Sequence, residues 1–376
     1  MIDIKQKQVH EPLIHITKRD DVGFAKSALI HFIGIAIALL LSSVLIVAVT
    51  GQNPLQLFKS MYEGVIGTPI ANSGINKKYM ESVHIAAILL CISLAVTPAF
   101  KMKFWNIGAE GQVLMGCLTS AYCMIEFGGK IDNAALIFIM VSASILMGAV
   151  WAVIPAVCKA FWNTNETLFT LMMNYIAMTL VSYFIMVKDK SGRSDLGIIN
   201  ERTGYGYLPN LFERNYIFNI IIVTAVTILM FVYLKYSKQG YEISVVGESE
   251  NTARYIGINV KKVIIRTVVI SGAICGLVGF MIVAGDKHSI KSSIVGGQGF
   301  TAIMVSWMSK FNPIIMVPVS MLIIFLSVGS KYATSAFRID NSIGDILTAI
   351  VIFSIIACEF FTRYKVNFRK NKKEGK

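Results

Sequence analysis

The chain has 376 residues, of which 55% are hydrophobic and 15% are charged, and its mean hydropathy is +0.64. Soluble domains carry about 25% charged residues, so this composition excludes a soluble globular enzyme and indicates a protein whose outer surface faces a bilayer. A formal net charge of +13 would suggest nucleic-acid binding in a soluble protein. In a membrane protein the same charge indicates topology, because Lys and Arg collect in cytoplasmic segments.

Ten apolar runs of roughly the length that crosses a bilayer, about 20 residues, are separated by charges, Gly or Pro. We therefore predict an all-α polytopic bundle of about ten transmembrane helices. The eighth run is short and begins with Gly296, Gly297 and Gly299, which predicts a broken or partly re-entrant helix. The runs lie near residues 27–49, 84–100, 105–126, 133–158, 166–187, 216–236, 263–284, 294–309, 313–330 and 342–361.

The polar segments around these runs predict the topology. Residues 1–26 are too long and too polar for the n-region of a signal peptide, so we predict a cytoplasmic tail, a transmembrane domain at 27–361 and a basic cytoplasmic tail at 362–376. The predicted inner segments hold 22 of the 35 Lys and Arg residues, which places both termini in the cytoplasm. The outer segments 51–83 and 188–215 are each either a lid, a docking edge or a solvated connection.

Three residue types give structural information only. The six cysteines lie in apolar stretches without a CxxC pair, which predicts buried free thiols. The five histidines lack the spacing of metal ligands, and we predict no metal site. Gly272, Gly276 and Gly279, with Ser271 beside them, form a small-residue face suited to close helix packing.

The largest internal cytoplasmic segment is the predicted coupling loop at 237–262. In its middle, Ser249 can cap a short helix, Glu250 suits the positive first turn, and Gly257 can end the helix. A short surface helix between two spans is the structure needed to receive force from a soluble partner. The alternative is a loop helix without such a role.

Four motifs carry a family resemblance. The segment GYEISVVGESENTARYIGIN at 240–259, together with FWNIGAEGQ at 104–112, resembles permease subunits of bacterial ABC importers of the branched-chain amino acid, simple-sugar and nucleoside class. NETLFTLMMNYIA at 165–177 and GGQGFTAIMV at 296–305, the latter followed by Asn312-Pro313, resemble further motifs of that class. The likeness covers roughly residues 30–360. These versions look most like nucleoside permeases, particularly the longer of two paired subunits.

The resemblance implies partners and also has departures. It implies separate ABC ATPase subunits, an extracytoplasmic substrate-binding protein, and a second permease subunit. The second permease is either another copy or a different chain, and the resemblance favours a different chain. It also implies location in the bacterial plasma membrane. Family members tend to have Gly where Ala302 stands and small residues where Ser306, Trp307 and Met308 stand, which bears on the packing of the eighth segment. The implied ATPase-coupling residues are Gly247, Glu248, Ser249, Glu250, Ala253, Arg254, Tyr255 and Gly257.

Polar residues at the start of the third run are the first candidates for the substrate path. Asn106 and Glu110 are four residues apart and would share a helical face, with Gln112 nearby. A carboxylate in a span is expensive and is a functional-site hypothesis by default. These side chains either line the path or satisfy backbone groups around Gly108 and Gly111, where the helix breaks.

A second candidate set lies in the fifth run and in the Gly-rich break. Glu166, Thr170 and Asn174 form one polar stripe on an apolar helix, which should face protein or water. Asn163 stands three residues before Glu166, which favours a helix-capping role for Glu166, whereas we assign Asn174 to the path. Gln298 either lines the pore or caps a helix. The predicted path residues are Asn106, Glu110, Gln112, Thr170, Asn174 and Gln298.

The sequence lacks the Gly-x4-Gly-Lys-Ser/Thr motif, so this chain cannot bind and split ATP in that manner. We predict a permease subunit, not an enzyme, that binds no cofactor and forms a path for a small polar solute while partner subunits use ATP. Nucleosides are the first candidate solute; sugars and branched-chain amino acids are alternatives. The rivals are an ion-driven secondary transporter using Glu110 or Glu166, a membrane-embedded enzyme, and a membrane scaffold.

Overall fold

A computed structural model describes residues 14–18, 24–67, 77–190, 192–209 and 216–368. Parts of the predicted tails and of both outer segments therefore lie outside the described residues. The elements are β1 (Ile14–Lys18), α1 (Phe24–Thr50), α2 (Pro54–Ile66), α3 (Lys77–Lys101), α4 (Ala109–Phe127), α5 (Asn133–Trp162), α6 (Glu166–Lys188), α7 (Ile217–Tyr236), α8 (Lys238–Glu248), α9 (Glu250–Tyr255), α10 (Val260–Ile282), a π-helical turn (Val283–Lys287), α11 (Gln298–Met308), α12 (Pro313–Ala336), α13 (Asn341–Arg363) and β2 (Tyr364–Phe368).

The polytopic helical bundle is confirmed, and each predicted run corresponds to a helix. Eight helices of the described residues are long and apolar enough to cross a membrane: α1, α3, α5, α6, α7, α10, α12 and α13. The other two predicted spans are α4 and α11. The short eighth run is helical over 11 residues only, about 16 Å, which is half of a hydrocarbon layer. Gly296 and Gly297 before it have positive φ values of 64° and 78°, which confirms the predicted break.

The described residues divide into two compact units, one built from the chain up to residue 65 and from 326 onward, the other from 66–325. In the first unit α1 packs along α13, and Gly34 allows the close approach of Cys358. The amphipathic helix α2 packs on the end of α12 through Gly64, which faces the ring of Tyr332. The sequence analysis treated 51–83 as an outer segment and did not identify α2 within it.

The strand β1, before α1, pairs antiparallel with β2, after α13. The register runs from Ile14 opposite Phe368 to Lys18 opposite Tyr364. This pairing holds the start of α1 and the end of α13 on the same side of the first unit. The sequence analysis predicted both tails without strands, since strand partners 348 residues apart leave no local signal.

In the second unit α4, α5 and α10 pack with their backbones in direct contact. A Cβ added to Gly276 would overlap the carbonyl of Ser144 in α5, and one added to Gly116 would lie 2.5 Å from the Gly276 carbonyl oxygen. Such an approach is open only to residues without a side chain. The small-residue face predicted at Gly272, Gly276 and Gly279 is therefore confirmed.

The outer segment described at 192–209 is fastened to the helices beneath it. The Asn200 amide donates to the Met124 carbonyl at 2.9 Å, and the Ile199 N–H donates to the His288 carbonyl at 2.7 Å. The Tyr207 ring stacks on His288 with centroids 3.7 Å apart. The predicted alternatives of a lid, a docking edge or a solvated connection therefore stay predictions for this stretch.

The helix ends around the predicted coupling loop enclose an apolar cluster. The cluster joins α3, α5, α8, α9 and α10. The short helix α9 therefore packs into the same cluster as the long helices α3, α5 and α10. Packed interiors transmit strain because they have few voids. The buried members are Ala99, Met102, Phe104, Ala152, Ala156, Ile243, Val246, Ala253, Val260, Val263, Ile264 and Val268.

Candidate functional site

The break between α3 and α4 is organised by two buried amides. The Asn106 amide donates to Gln112 Oε1 at 3.3 Å, and Gln112 Nε2 donates back to Asn106 Oδ1 at 3.1 Å. Asn106 Nδ2 also donates to Ser271 Oγ at 3.2 Å, and the Gly108 N–H donates to Asn106 Oδ1 at 3.1 Å. The prediction that Asn106 shares a helical face with Glu110 is wrong, because α4 begins only at Ala109.

Glu110, in the first turn of α4, accepts hydrogen bonds from two backbone N–H groups at the start of α11. Its Oε1 accepts from the Gly297 N–H and its Oε2 accepts from the Gly299 N–H, both at 2.8 Å. The residue is 3% exposed. A carboxylate is stabilised at a helix N-terminus, where backbone N–H groups lack partners within the helix. Of the predicted alternatives, Glu110 has the backbone-satisfying role, although at Gly297 and Gly299 instead of Gly108 and Gly111.

The polar stripe of α6 contacts the break between α3 and α4 from the other side. We call Asn106, Glu110, Gln112, Thr170 and Asn174 together the clamp. Asn174 Oδ1 accepts from the Gly111 N–H at 2.8 Å, and Asn174 Nδ2 donates to the Ile107 carbonyl at 3.0 Å. Thr170 Oγ1 accepts from the Ile107 N–H at 3.2 Å and donates to the Glu166 carbonyl at 2.7 Å. Asn174 therefore caps α4 in trans. The prediction that the stripe faces protein is confirmed.

The start of α6 differs from the predicted arrangement. Its N-cap is Asn165, whose Oδ1 accepts from Thr167 and Leu168, whereas Asn163 ends α5 in a left-handed conformation. Glu166 forms an ion pair with Lys159 at 2.9 Å. The predicted capping box of Asn163 and Glu166 is wrong, because the chain turns between two helices at Asn163.

Gln298 is the remaining predicted path residue, and its environment differs from that of the other five. It is the first residue of α11 and half-buried, and its Oε1 is buried without a hydrogen-bond partner among the described residues. A buried acceptor without a partner costs free energy, so such an atom is suited to a donor that arrives with a ligand. Gln298 thus has a buried acceptor without a partner among the described residues, whereas the other five predicted path residues hydrogen-bond to groups around the helix breaks.

The predicted coupling residues lie at the junction of α8 and α9. Ser249 Oγ accepts from the Thr252 N–H at 3.3 Å, which confirms the predicted N-cap, and Gly257 has a φ of 84° after the helix end. Gly247 and Glu248 end α8, and α9 is only Glu250–Tyr255, so the eight predicted coupling residues do not share one helix. The chain turns at Ser249, which is extended and cannot belong to either helix.

The surface of α9 has one buried and one exposed side. Ala253 is fully buried in the apolar cluster, whereas Tyr255 is 92% exposed. Arg254, also exposed, pairs with Glu250 one turn earlier at 3.3 Å. Lys103 Nζ donates to the Glu248 carbonyl at 3.4 Å, which ties the same junction to the end of α3. A helix attached by one small residue and otherwise open is able to receive a partner protein.

Two broken helices clamped to each other in a bundle of spans, with an exposed short helix on the underlying cluster, define the architecture of a membrane permease. The family model described as "branched-chain amino acid transport system / permease component" matches residues 79–356, and the chain belongs to this family of ABC transporter permeases. It is a transport component and a multi-pass protein of the plasma membrane.

Individual relatives cover most of the chain. The guanosine ABC transporter permease protein NupP of Bacillus subtilis is 26% identical over 340 residues, 89% of this chain and 94% of the relative. The nucleoside ABC transporter permease protein NupB of Lactococcus lactis subsp. cremoris is 24% identical over 341 residues, 88% of this chain and 91% of the relative. The glucose ABC transporter permease protein TsgB13 of Haloferax volcanii is 27% identical over 292 residues, 75% and 76% of the two chains.

Sequence reasoning missed several residues of this site. Ser271 is the partner of Asn106 and is distant from it in sequence. Lys159 is the partner of Glu166 and is separated from it by the turn between α5 and α6. Trp105 and Trp307 form a ring contact with centroids 5.3 Å apart. Trp105 directly precedes the clamp in sequence, and this adjacency was the one available signal.

Proposed function

We propose that this chain forms one half of the translocation path of an ATP-driven nucleoside importer, with a different permease chain as the other half. Nucleoside permeases are among the relatives that match nearly the whole chain. The proposal includes an extracytoplasmic binding protein that delivers the solute and two ATPase subunits that bind all of the ATP. The chain itself binds no cofactor.

The observation that carries the proposal is the attachment of α9. Its exposed Arg254 and Tyr255 present a charged and an aromatic group to a soluble partner, while Ala253 is held in the cluster shared by α3, α5 and α10. When the ATPases close on ATP, a displacement of α9 would shift the end of α3, which leads directly into the clamp at Asn106. Access would thereby switch between the two sides of the membrane.

The orientation is part of the proposal. With the excess of Lys and Arg inside, α9 and both tails face the cytoplasm, and the fastened segment 192–209 faces the binding protein. The pairing of β1 with β2 supports a common side for the two tails. The basic residue Lys365 in β2 would then lie at the cytoplasmic leaflet, where anionic lipids attract it.

The carboxylates argue against an ion-driven mechanism. Coupling to an ion needs a carboxylate that gains and loses its charge or its cation during the cycle. Glu110 is occupied by two backbone N–H groups, and Glu166 is occupied by Lys159. Neither is left open for a travelling ion in this arrangement.

The test is reconstitution of the chain with its partner permease, ATPases and binding protein in liposomes, followed by uptake of labelled guanosine and labelled glucose. The coupling variant carries Arg254→Glu and Tyr255→Ala. The matched control carries Arg338→Glu and Tyr183→Ala, which change an exposed Arg and an exposed Tyr away from α9 and from the segment 192–209.

We expect ATP-dependent guanosine uptake that the coupling variant loses and the control keeps, while both variants insert and assemble. Uptake of glucose in place of guanosine would contradict the solute assignment. Guanosine uptake driven by an ion gradient without the ATPases would contradict the whole mechanism.

A further inference from the structure

Three aromatic rings meet beside the clamp, and we call them the aromatic ledge: Phe100 at the end of α3, Trp105 in the break, and Trp307 near the end of α11. The indoles of Trp105 and Trp307 have centroids 5.3 Å apart and planes tilted by 49°. Phe100 meets them edge-on at 5.7 and 6.4 Å. The edge-to-face arrangement is a favourable one for aromatic rings.

The ledge consists of one buried ring and two half-exposed rings. Phe100 is 5% exposed and supports the pair from behind, whereas Trp105 is 42% exposed and Trp307 is 48% exposed. The two indoles lie side by side, and part of each remains uncovered. An accessible indole is a platform for a flat ring, because aromatic stacking accepts any base and depends little on its hydrogen-bonding groups.

The backbone that carries each indole is held by hydrogen bonds at or next to the clamp. The Trp105 carbonyl accepts from the Ile107 N–H at 3.0 Å and from Thr170 Oγ1 at 3.4 Å. The residue before Trp307, Ser306, shares a hydrogen bond with Thr97 at 2.9 Å, and Glu110 holds the other end of α11. The ledge is thus continuous with the residues that hold the two helix breaks, and its rings are positioned in advance of any ligand.

We propose that the aromatic ledge stacks the flat heteroaromatic base of a solute as it passes through the permease. This inference rests on the proposed nucleoside import and names the part of the solute that the site recognises. A base offers a planar π-system to Trp105 and Trp307, and its sugar extends away from the rings. Solutes without a planar ring lack this contact, so the ledge selects for base-bearing solutes over free hexoses.

The competing explanation is an aromatic belt, since Trp is enriched wherever a membrane protein meets the lipid headgroups. The chain contains a matched control for that role. Trp162 ends α5, is 71% exposed, and lies on the same predicted inner side of the membrane without belonging to the ledge. A belt residue and a stacking residue respond differently to a nucleoside probe.

The experiment uses the assembled permease pair with its ATPases in lipid nanodiscs, without the binding protein, and the photoreactive probe 8-azidoguanosine. Labelled peptides are mapped by mass spectrometry, and protection is titrated with guanosine and, separately, with glucose. Variants are Trp105→Leu, Trp307→Leu, Trp307→Phe and the control Trp162→Leu. Guanosine uptake by the wild-type complex is measured in parallel in liposomes that also contain the binding protein.

We expect labelling of peptides that contain Trp105 or Trp307, with protection by guanosine and not by glucose. Loss of one stacking face in Trp307→Leu should raise the half-protecting guanosine concentration about tenfold, equivalent to about 1.4 kcal/mol. Trp307→Phe should retain most of the affinity, and Trp162→Leu should match the wild type. The Phe variant separates stacking from folding, because it keeps a ring of similar packing.

The proposal that the ledge stacks a base would be overturned by labelling confined to other peptides or by equal protection with glucose. An equal shift of the half-protecting guanosine concentration in Trp162→Leu would also overturn it. Normal guanosine uptake together with unlabelled ledge peptides would overturn the ledge and leave the proposed function standing. Ledge labelling in a complex that takes up no guanosine would support the ledge and refute the proposed import.

Discussion

Replacing Glu110 tests whether its carboxylate holds the start of α11. Each of its oxygens accepts one backbone N–H at 2.8 Å, and hydrogen bonds to charged groups contribute about 1.5–3 kcal/mol each. Glu110→Gln keeps one acceptor and turns an NH2 group toward the other donor, so we expect a loss of about 2 kcal/mol. Glu110→Ala leaves both N–H groups unpaired and creates a cavity, so we expect about 3–5 kcal/mol.

Thermal unfolding with a thiol-reactive dye measures this order, because the six cysteines are free and five of them are buried until the helices separate. The expected ranking of Tm is wild type, then Glu110→Gln, then Glu110→Ala. Glu250→Gln, which changes an exposed carboxylate on α9, serves as the control and should leave Tm unchanged. A Glu110→Gln variant as stable as the wild type would refute the grip of Glu110 on α11.

Three further predictions concern packing, pH and the α9 cap. Gly276→Ala places a methyl group against the Ser144 backbone and should cost about 1–3 kcal/mol in unfolding, whereas the exposed Ala135→Val should not; Tm in detergent distinguishes them. Burial lowers the pKa of His288 below its ordinary value of 6.5, partly opposed by the Val283 carbonyl and Asp286. Its contribution to stability is therefore complete above pH 6.5 and falls as the pH drops, so Tm measured from pH 8 to 5 should decline less in His288→Gln; an identical decline would contradict this assignment. Ser249→Ala removes the α9 N-cap at a local cost of about 1 kcal/mol and should lower ATP-dependent uptake and amide protection of α9, whereas Ser249→Asp should preserve both.

The spans could be predicted from the sequence because the bilayer imposes a continuous apolar run on each of them. The break before α11 and the cap of α9 were equally readable, since glycine with positive φ and Ser at an N-cap are local signals. The amphipathic helix α2 was missed although its pattern is local, because its buried Leu57, Met61, Gly64 and Val65 follow helical spacing.

The clamp could not be predicted in its connections, because its partners are distant in sequence. Glu110 bonds to a residue 187 positions away, and Asn174 bonds to one 63 positions away. A single sequence identifies polar residues that are unusual in a span, but it does not say whether they face the solute or another helix break. Here five of the six predicted path residues form hydrogen bonds with other groups of the protein.

The glycine contacts among α4, α5 and α10 have a mechanical consequence. Gly116, Gly148, Gly272, Gly276 and Gly279 bring three backbones together with no side chain between them to rotate or slide. Such a three-helix block resists internal movement, because any relative shift of its members would need to separate backbones that are already in contact. In the proposed transport cycle, we therefore expect the movement to be carried by elements attached to the block: the end of α3, the half-helix α11 and the short helix α9.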